Sequence, residues 1–186
     1  MEPSKERSES MPWWLYALDK TNAIVTTLTA CVLLYTRAAG VAYFTAGAVL
    51  CSITVKILKR CLRQPRPDVT VVVNGRRKKK KTYGMPSTHS AVITYFATYI
   101  SLACAYLPVH PSFPASPMLS RVLPPLLVVP LAITIAASRI WLGHHTWPQV
   151  AVGVTYGLLF VPVWFKLWTG GLNEYGRACE DMLHIF

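Results

Sequence analysis

Acidic residues are scarce in this chain: 8 Asp and Glu stand against 19 Lys and Arg in 186 residues, a formal net charge of +11. Charge of either sign is sparse, at 15%, whereas 53% of residues are hydrophobic. Disorder is thereby excluded for most of the chain, because disordered segments are polar. An ordinary soluble domain is excluded for the opposite reason, an excess of apolar residues. The five cysteines (Cys31, Cys51, Cys61, Cys104, Cys179) lack both metal-ligand spacing and a disulfide pattern. Three of them lie in apolar runs and read as small buried hydrophobes. No carboxylate cluster suits a hard cation, so no metal and no cofactor are expected. There is no internal repeat. A soluble protein this basic would point to nucleic acid. Here the basic residues are bunched and the rest is nearly uncharged, so nucleic acid is not expected and a membrane protein that meets anionic groups fits better.

Charge-free runs mark the helices. They are Thr21–Thr36, Ala38–Val55, Val122–Ser138 and Thr146–Phe165, with a further stretch from Ser90 to Ser120. Pro108, Pro111, Pro114 and Pro117 break the last, which predicts a helix over about 90–107 followed by a loop. A helix needs about 17–25 apolar residues to cross the hydrocarbon core. The runs lack the strict alternation of a β-barrel, and lipid leaves no partner for open backbone groups, so helices are required. The expected fold is all-α: a multi-pass transmembrane bundle of four or five membrane helices. The first run is short and Thr-rich, which allows a tilted or re-entrant helix. Residues 1–19 form a polar N-terminal segment that does not read as a cleaved signal peptide. Residues 20–168 form the membrane domain and residues 169–186 a mixed tail. Residues 68–82, with VTVVVNG and then RRKKKK, read as a polar loop with room for a short hairpin.

Three polar clusters fall at helix ends. Lys59, Arg60, Arg63 and Arg66 follow the second run, closed by Pro65 and Pro67. On a continued helix Lys59, Arg63 and Arg66 share one face, and like charges gathered there call for an anion. Guanidinium grips phosphate in a fork and Lys adds a point charge. An interfacial basic cuff explains the same residues. The third helix opens at Pro86-Ser87-Thr88-His89-Ser90, where hydroxyl residues suit the N-cap and free N–H groups suit an anion. His89 in that first turn can exchange a proton near neutral pH. Ordinary capping explains this segment equally. The fourth run ends at Arg139, and His144 and His145 follow in the turn before Pro148. Neighbouring His residues diverge on a helix, so at most one is expected to enter a shared site. Trp141 and Trp147 beside them are typical belt residues. Helices alternate direction across a bilayer. The end of the second, the start of the third and the turn from fourth to fifth therefore share one face.

These residues resemble a known family. Lys59, six residues, then Arg66-Pro67 is similar to the first signature of the type 2 phosphatidic acid phosphatase (PAP2) superfamily. Pro86-Ser87-Thr88-His89 resembles the second, with Thr88 in place of Gly. Ser138-Arg139, five residues, His145, three residues, then Gln149 resembles the third, with Gln in place of Asp. A hydroxyl residue at the first of these places and Gln at the second, with Tyr83-Gly84-Met85-Pro86-Ser87 and His145-Thr146-Trp147, resemble the dolichyldiphosphatase branch. The resemblance implies a helical membrane fold and hydrolysis of dolichyl diphosphate to dolichyl phosphate and phosphate through a phosphohistidine. His145 would attack phosphorus, His89 would protonate the leaving oxygen and then activate water, and Gln149 would orient His145 without the net charge of Asp. Lys59, Arg66, Ser87, Thr88 and Arg139 would bind the phosphoryl oxygens. No metal is needed in such a scheme, since Lys and Arg carry the charge.

The implied partners are a polyprenyl diphosphate and membrane lipids, and the implied location is the endoplasmic reticulum membrane, in lipid-carrier recycling for N-glycosylation. Ten of the 19 basic residues lie between Lys59 and Lys81, on the face of the site. The positive-inside rule places that face in the cytoplasm, whereas the resemblance implies a lumenal site. The run Arg76–Lys81 reads as a solvated loop drawn to anionic headgroups. Two other readings fit the same residues: a phosphatase for phosphatidate or a sphingoid phosphate, and a non-catalytic protein that binds anionic lipid. The chain carries no reading of oligomeric state.

Overall fold

A computed structural model describes residues 12–67, 71–73, 76–78, 82–108 and 116–184. Seven α-helices follow in order: α1 Trp13–Asp19, α2 Thr21–Thr36, α3 Ala39–Leu62, α4 Thr88–Tyr106, α5 Leu123–Trp141, α6 Trp147–Leu167 and α7 Asn173–His184. The architecture is the expected all-α bundle. Among the described residues, three helical stretches are long and apolar enough to cross a membrane: Ala39–Leu62, Met118–Trp141 and Trp147–Met182. α1 and α2, bent by 60° at Lys20, pass the same test as a pair. α4 is outside that set, and its place in the bundle explains why. It sits at the centre, packed on α3, α5 and α6, so it carries Ser90, Thr94, Tyr95 and Tyr99 as buried residues instead of a lipid-facing apolar surface. The outer helices do the reverse, exposing Leu126, Leu127 and Ile133 on α5 and Leu159 and Val163 on α6.

Small residues set the closest approach. A Cβ at Gly153 would lie 2.6 Å from the Ser87 carbonyl oxygen, and one at Gly157 would lie 2.6 Å from that of Ala91. These two glycines, four apart on α6, let α6 lie against the first turns of α4. Farther along, the core is aromatic. Tyr95 and Tyr99 pack with Phe44, Phe160 and Phe165. Tyr95 donates to the Phe44 carbonyl at 2.8 Å and Tyr43 to that of Trp164 at 2.8 Å.

Two local expectations change. The helical face proposed for Lys59, Arg63 and Arg66 stops short: α3 ends at Leu62, and Arg63 turns left-handed at φ 48°. Pro65 and Pro67 cannot continue a helix, so Arg66 rises from an extended loop. The segment before residue 20 is not wholly a polar arm. Residues 13–19 form α1, whose Trp14 meets Trp141 edge-on at 6.4 Å. In the tail, α7 packs on α3, and Glu180 accepts from the Ala39 backbone N–H. The hairpin is present, with β1 (Val71–Val73) antiparallel to β2 (Arg76–Lys78). The remainder of the basic run, residues 79–81, lies outside the described residues, as does the segment before residue 12.

Candidate active site

The helix ends meet around one cavity of about 340 Å³. It is lined by Lys59 from α3, Arg66 from the loop after it, Thr88 and His89 from the first turn of α4, Arg139 from the last turn of α5, and His144 and His145 from the α5–α6 turn. Six of the eight residues singled out from the signatures line it. The other two stand behind. Ser87 is fully buried as the N-cap of α4. Its Oγ accepts from the Ser90 N–H at 3.4 Å and the Ser90 hydroxyl at 2.9 Å, so capping, not the cavity, takes this side chain. Gln149 is buried on α6 and reaches the cavity only through His145.

Both imidazoles of the turn enter, contrary to the expectation of one. The pair does not sit on a helix. Gly143 takes a left-handed φ of 66°, which a side chain disfavours, and the backbone N–H groups of His144 and His145 both turn back to the Arg139 carbonyl, at 2.9 and 3.1 Å. The tight turn brings both rings to the same side.

The hydrogen bonds of His145 define its tautomer. Its Nε2 lies 3.3 Å from Arg66 Nη1, and guanidinium only donates, so Nε2 holds a lone pair. Its Nδ1 then carries the proton and donates to Gln149 Oε1 at 3.2 Å. Burial, and then the charges of Arg66 and Lys59, push the His145 pKa down to about 3; hydrogen bonds to Gln149 and the Gly84 backbone oppose this only in part. The ring is therefore neutral at neutral pH, with a lone pair aimed at the cationic side of the cavity.

Gln149 does two jobs at once. Its Oε1 faces His145 and also accepts from the Thr146 N–H at 3.3 Å, at the start of α6. Its Nε2 donates to the Pro65 carbonyl at 2.9 Å and to Gln64 Oε1 at 3.3 Å. The amide thus ties the loop that carries Arg66 to the helix that carries its own α-carbon, and Asp has no donor for the second job. The Gly84 N–H bonds the Gln64 carbonyl at 2.7 Å and the Ser87 N–H bonds that of Gln149 at 2.9 Å, closing the same seam. Arg66 is held by Thr82, through its carbonyl at 2.9 Å and its hydroxyl at 3.0 Å, and by the His144 carbonyl at 2.9 Å. Burial lowers its pKa without discharging it.

Asp19 was not singled out from the sequence. Its carboxylate lies 3.5 Å from Arg139 Nη1 and 2.9 Å from His144 Nε2, and it lines the cavity. The alternation of helix direction would have found it, since the start of α2 faces the same side as the end of α3. Among the described residues, no three His, Cys, Asp or Glu side chains gather closely enough to hold a metal ion. A second, larger cavity of about 920 Å³ runs between α2, α3 and α4. It shares Lys59, Arg66, Thr88 and His89 with the first and is otherwise walled mainly by apolar and hydroxyl side chains such as Val25, Leu33, Val49, Ile53 and Phe96. The cationic pocket therefore opens into an apolar groove.

The chain is 33% identical over 125 residues to "Dolichyldiphosphatase 1" of Rhinolophus ferrumequinum, covering 66% of this chain and 50% of that protein. It is 33% identical over 112 residues to "Dolichyldiphosphatase 1" of Homo sapiens, covering 59% of this chain and 44% of that one. It is 29% identical over 140 residues to "Lipid phosphate phosphatase gamma" of Arabidopsis thaliana, covering 75% and 58%. The chain spans about half the length of the curated dolichyldiphosphatases it matches. No solved structure matches it. The family model described as the PAP2 superfamily matches residues 37–170, from the start of α3 to just beyond α6 and so through every signature residue around the cavity: the chain belongs to the PAP2 superfamily.

Proposed function

We propose that this chain hydrolyses a lipid diphosphate, with dolichyl diphosphate as the substrate, and recycles the lipid carrier at the endoplasmic reticulum membrane. One observation carries the reading: a neutral His145 with its Nε2 lone pair in a cavity that also holds His89, Lys59, Arg66 and Arg139. Lys59, Arg66 and Arg139 hold the terminal phosphoryl group and offset the charge that spreads over its oxygens. His145 Nε2 attacks phosphorus as the bridging P–O bond breaks. His89 gives its proton to the departing dolichyl phosphate. Nδ1–H of His145 stays on Gln149, which orients the ring and accepts the bond from the charged intermediate without adding net charge. His89 then takes a proton from water, whose oxygen attacks the phosphohistidine and releases inorganic phosphate. The scheme asks nothing of a metal ion. The apolar groove suits the lipid tail, and the site face is the lumenal one in this reading.

The test is phosphate release from dolichyl diphosphate by the purified chain in detergent with a chelator present. Turnover in the wild type and a loss of at least about a thousandfold in His145→Ala are expected. An inactive wild type, or an active His145→Ala, overturns the reading. Because one relative is named a lipid phosphate phosphatase, phosphatidate and a sphingoid phosphate belong in the same assay; faster release from either would reassign the substrate and leave the chemistry in place.

A further inference from the structure

We propose that Asp19 is a tethered stand-in for the substrate's oxyanion. In the free protein its carboxylate occupies an anion seat made by Arg139 and His144, and a phosphoryl group entering the cavity displaces it. The inference rests on the phosphate-site reading above and adds a residue from outside residues 37–170, the part matched by the family model.

A carboxylate in a phosphate pocket is the wrong sign for the cargo, unless it leaves. Its contacts show what it stands in for. One oxygen, Oδ1, meets both Arg139 Nη1, at 3.5 Å, and His144 Nε2, at 2.9 Å. A phosphoryl oxygen in the same place would meet the same two donors. Arg139 is 2% exposed and already engaged around its fork. Its Nε and Nη2 reach Ser138 Oγ at 3.2 and 3.0 Å, and Nη2 also donates to the Leu18 carbonyl. The partners it would exchange for phosphate, Leu18 and Asp19, are consecutive residues in the last turn of α1. Ser138 keeps the guanidinium in place when they go.

α1 is suited to moving. None of its residues is buried, it is set off from α2 by a 60° break, and its ring contact with the bundle is Trp14 on Trp141. The Asp19 side chain is 34% exposed, so its carboxylate has a short path to water. A fixed bracket for Arg139 would predict the opposite sign: deleting it would loosen phosphate, whereas deleting a competitor tightens it.

The experiment compares wild type with Asp19→Asn, full chain in detergent, in two arms: equilibrium binding of inorganic phosphate, and KM for dolichyl diphosphate. Replacing the charged carboxylate that fills the seat by a neutral amide should tighten both about tenfold. His144→Gln placed on top should cancel most of the gain. A gain in the lipid arm alone assigns the seat to the lipid-linked phosphate, and a gain in the other alone assigns it to the released one. If Asp19→Asn changes neither, or weakens both, the stand-in is refuted while turnover in the wild type keeps the phosphatase reading intact. If that variant does not fold, amide exchange of the wild type decides. Saturating phosphate should speed exchange across Trp13–Lys20, and unchanged or slower exchange refutes the displacement.

Discussion

At one end of α4, Thr88 and His89 face a cavity walled by helix ends, a loop and a turn, pinned by individual hydrogen bonds such as those from Gln149 to Pro65 and from Arg66 to Thr82. Farther along the same helix, Tyr95 and Tyr99 lie in a cluster of rings where the hydrogen bonds from Tyr95 and Tyr43 are secondary to area. The first region places atoms. The second holds helices together. Damage should therefore show in different measurements: in rate at the cavity, and in stability among the rings, where large aromatic surfaces dominate the energy.

The sharpest way to test that division is a pair of glycines. A Cβ at Gly84 would overlap the Gln149 amide, the far end of a side chain, which would shift and release His145. Gly84→Ala should lower kcat about a hundredfold in the phosphate-release assay, with a thermal midpoint close to wild type. A Cβ at Gly47 would overlap the Tyr95 hydroxyl and the Trp164 ring, neither of which can swing away without breaking the cluster. Gly47→Ala should cost about 1–3 kcal/mol in denaturant unfolding and leave kcat within about twofold. If the two variants show the same signature, the division is false.

Gln149→Glu probes the cavity end more finely. It keeps the acceptor for His145 and turns the donor toward Pro65 and Gln64 into a second acceptor. A loss of about tenfold in kcat is expected, because the gain in charge beside His145 comes with a repelled loop. A rate equal to or above wild type would show that the donor side is dispensable.

Acid should weaken the cavity end before the rings. The His145 pKa falls from 6.5 to about 3 on folding, so between these values the unfolded chain binds the extra proton. Stability then drops as pH falls below 6.5, by on the order of 2 kcal/mol at pH 4.5. Thermal unfolding at pH 7 and 4.5 measures the drop, and His145→Ala should flatten it. The smallest effect belongs to the basic hairpin. Replacing Arg76, Arg77 and Lys78 by Gln should change turnover less than about twofold while weakening binding to anionic vesicles.

Much of the fold was legible because its causes are local. Lipid leaves the backbone no partner but itself, so an uncharged run of sufficient length becomes a helix. Thr21–Thr36 was bounded by Lys20 and Arg37 and is α2 to the residue. α3 runs beyond Val55 because a membrane helix tolerates Lys and Arg once it reaches the interface. The gathering of Lys59, His89, Arg139 and His145 followed from helix direction alone. Asp19 escapes that reasoning because it falls at the end of residues 1–19, read as a polar segment outside the membrane domain.

What the amino-acid order determined by itself was the five helices α2 to α6, the face on which their polar ends meet, and the cations and imidazoles found there. Run length and alternation are properties of the chain and need no knowledge of packing. Which of those groups enter the cavity was decided only by the tertiary structure. Ser87 turned inward to cap α4, Gly143 turned His144 in beside His145, Gln149 stood behind the ring with its amide on the Arg66 loop, and α1 brought Asp19 to Arg139. A side chain's direction in a turn depends on a few dihedral angles and on neighbours distant in sequence, and no local pattern encodes those.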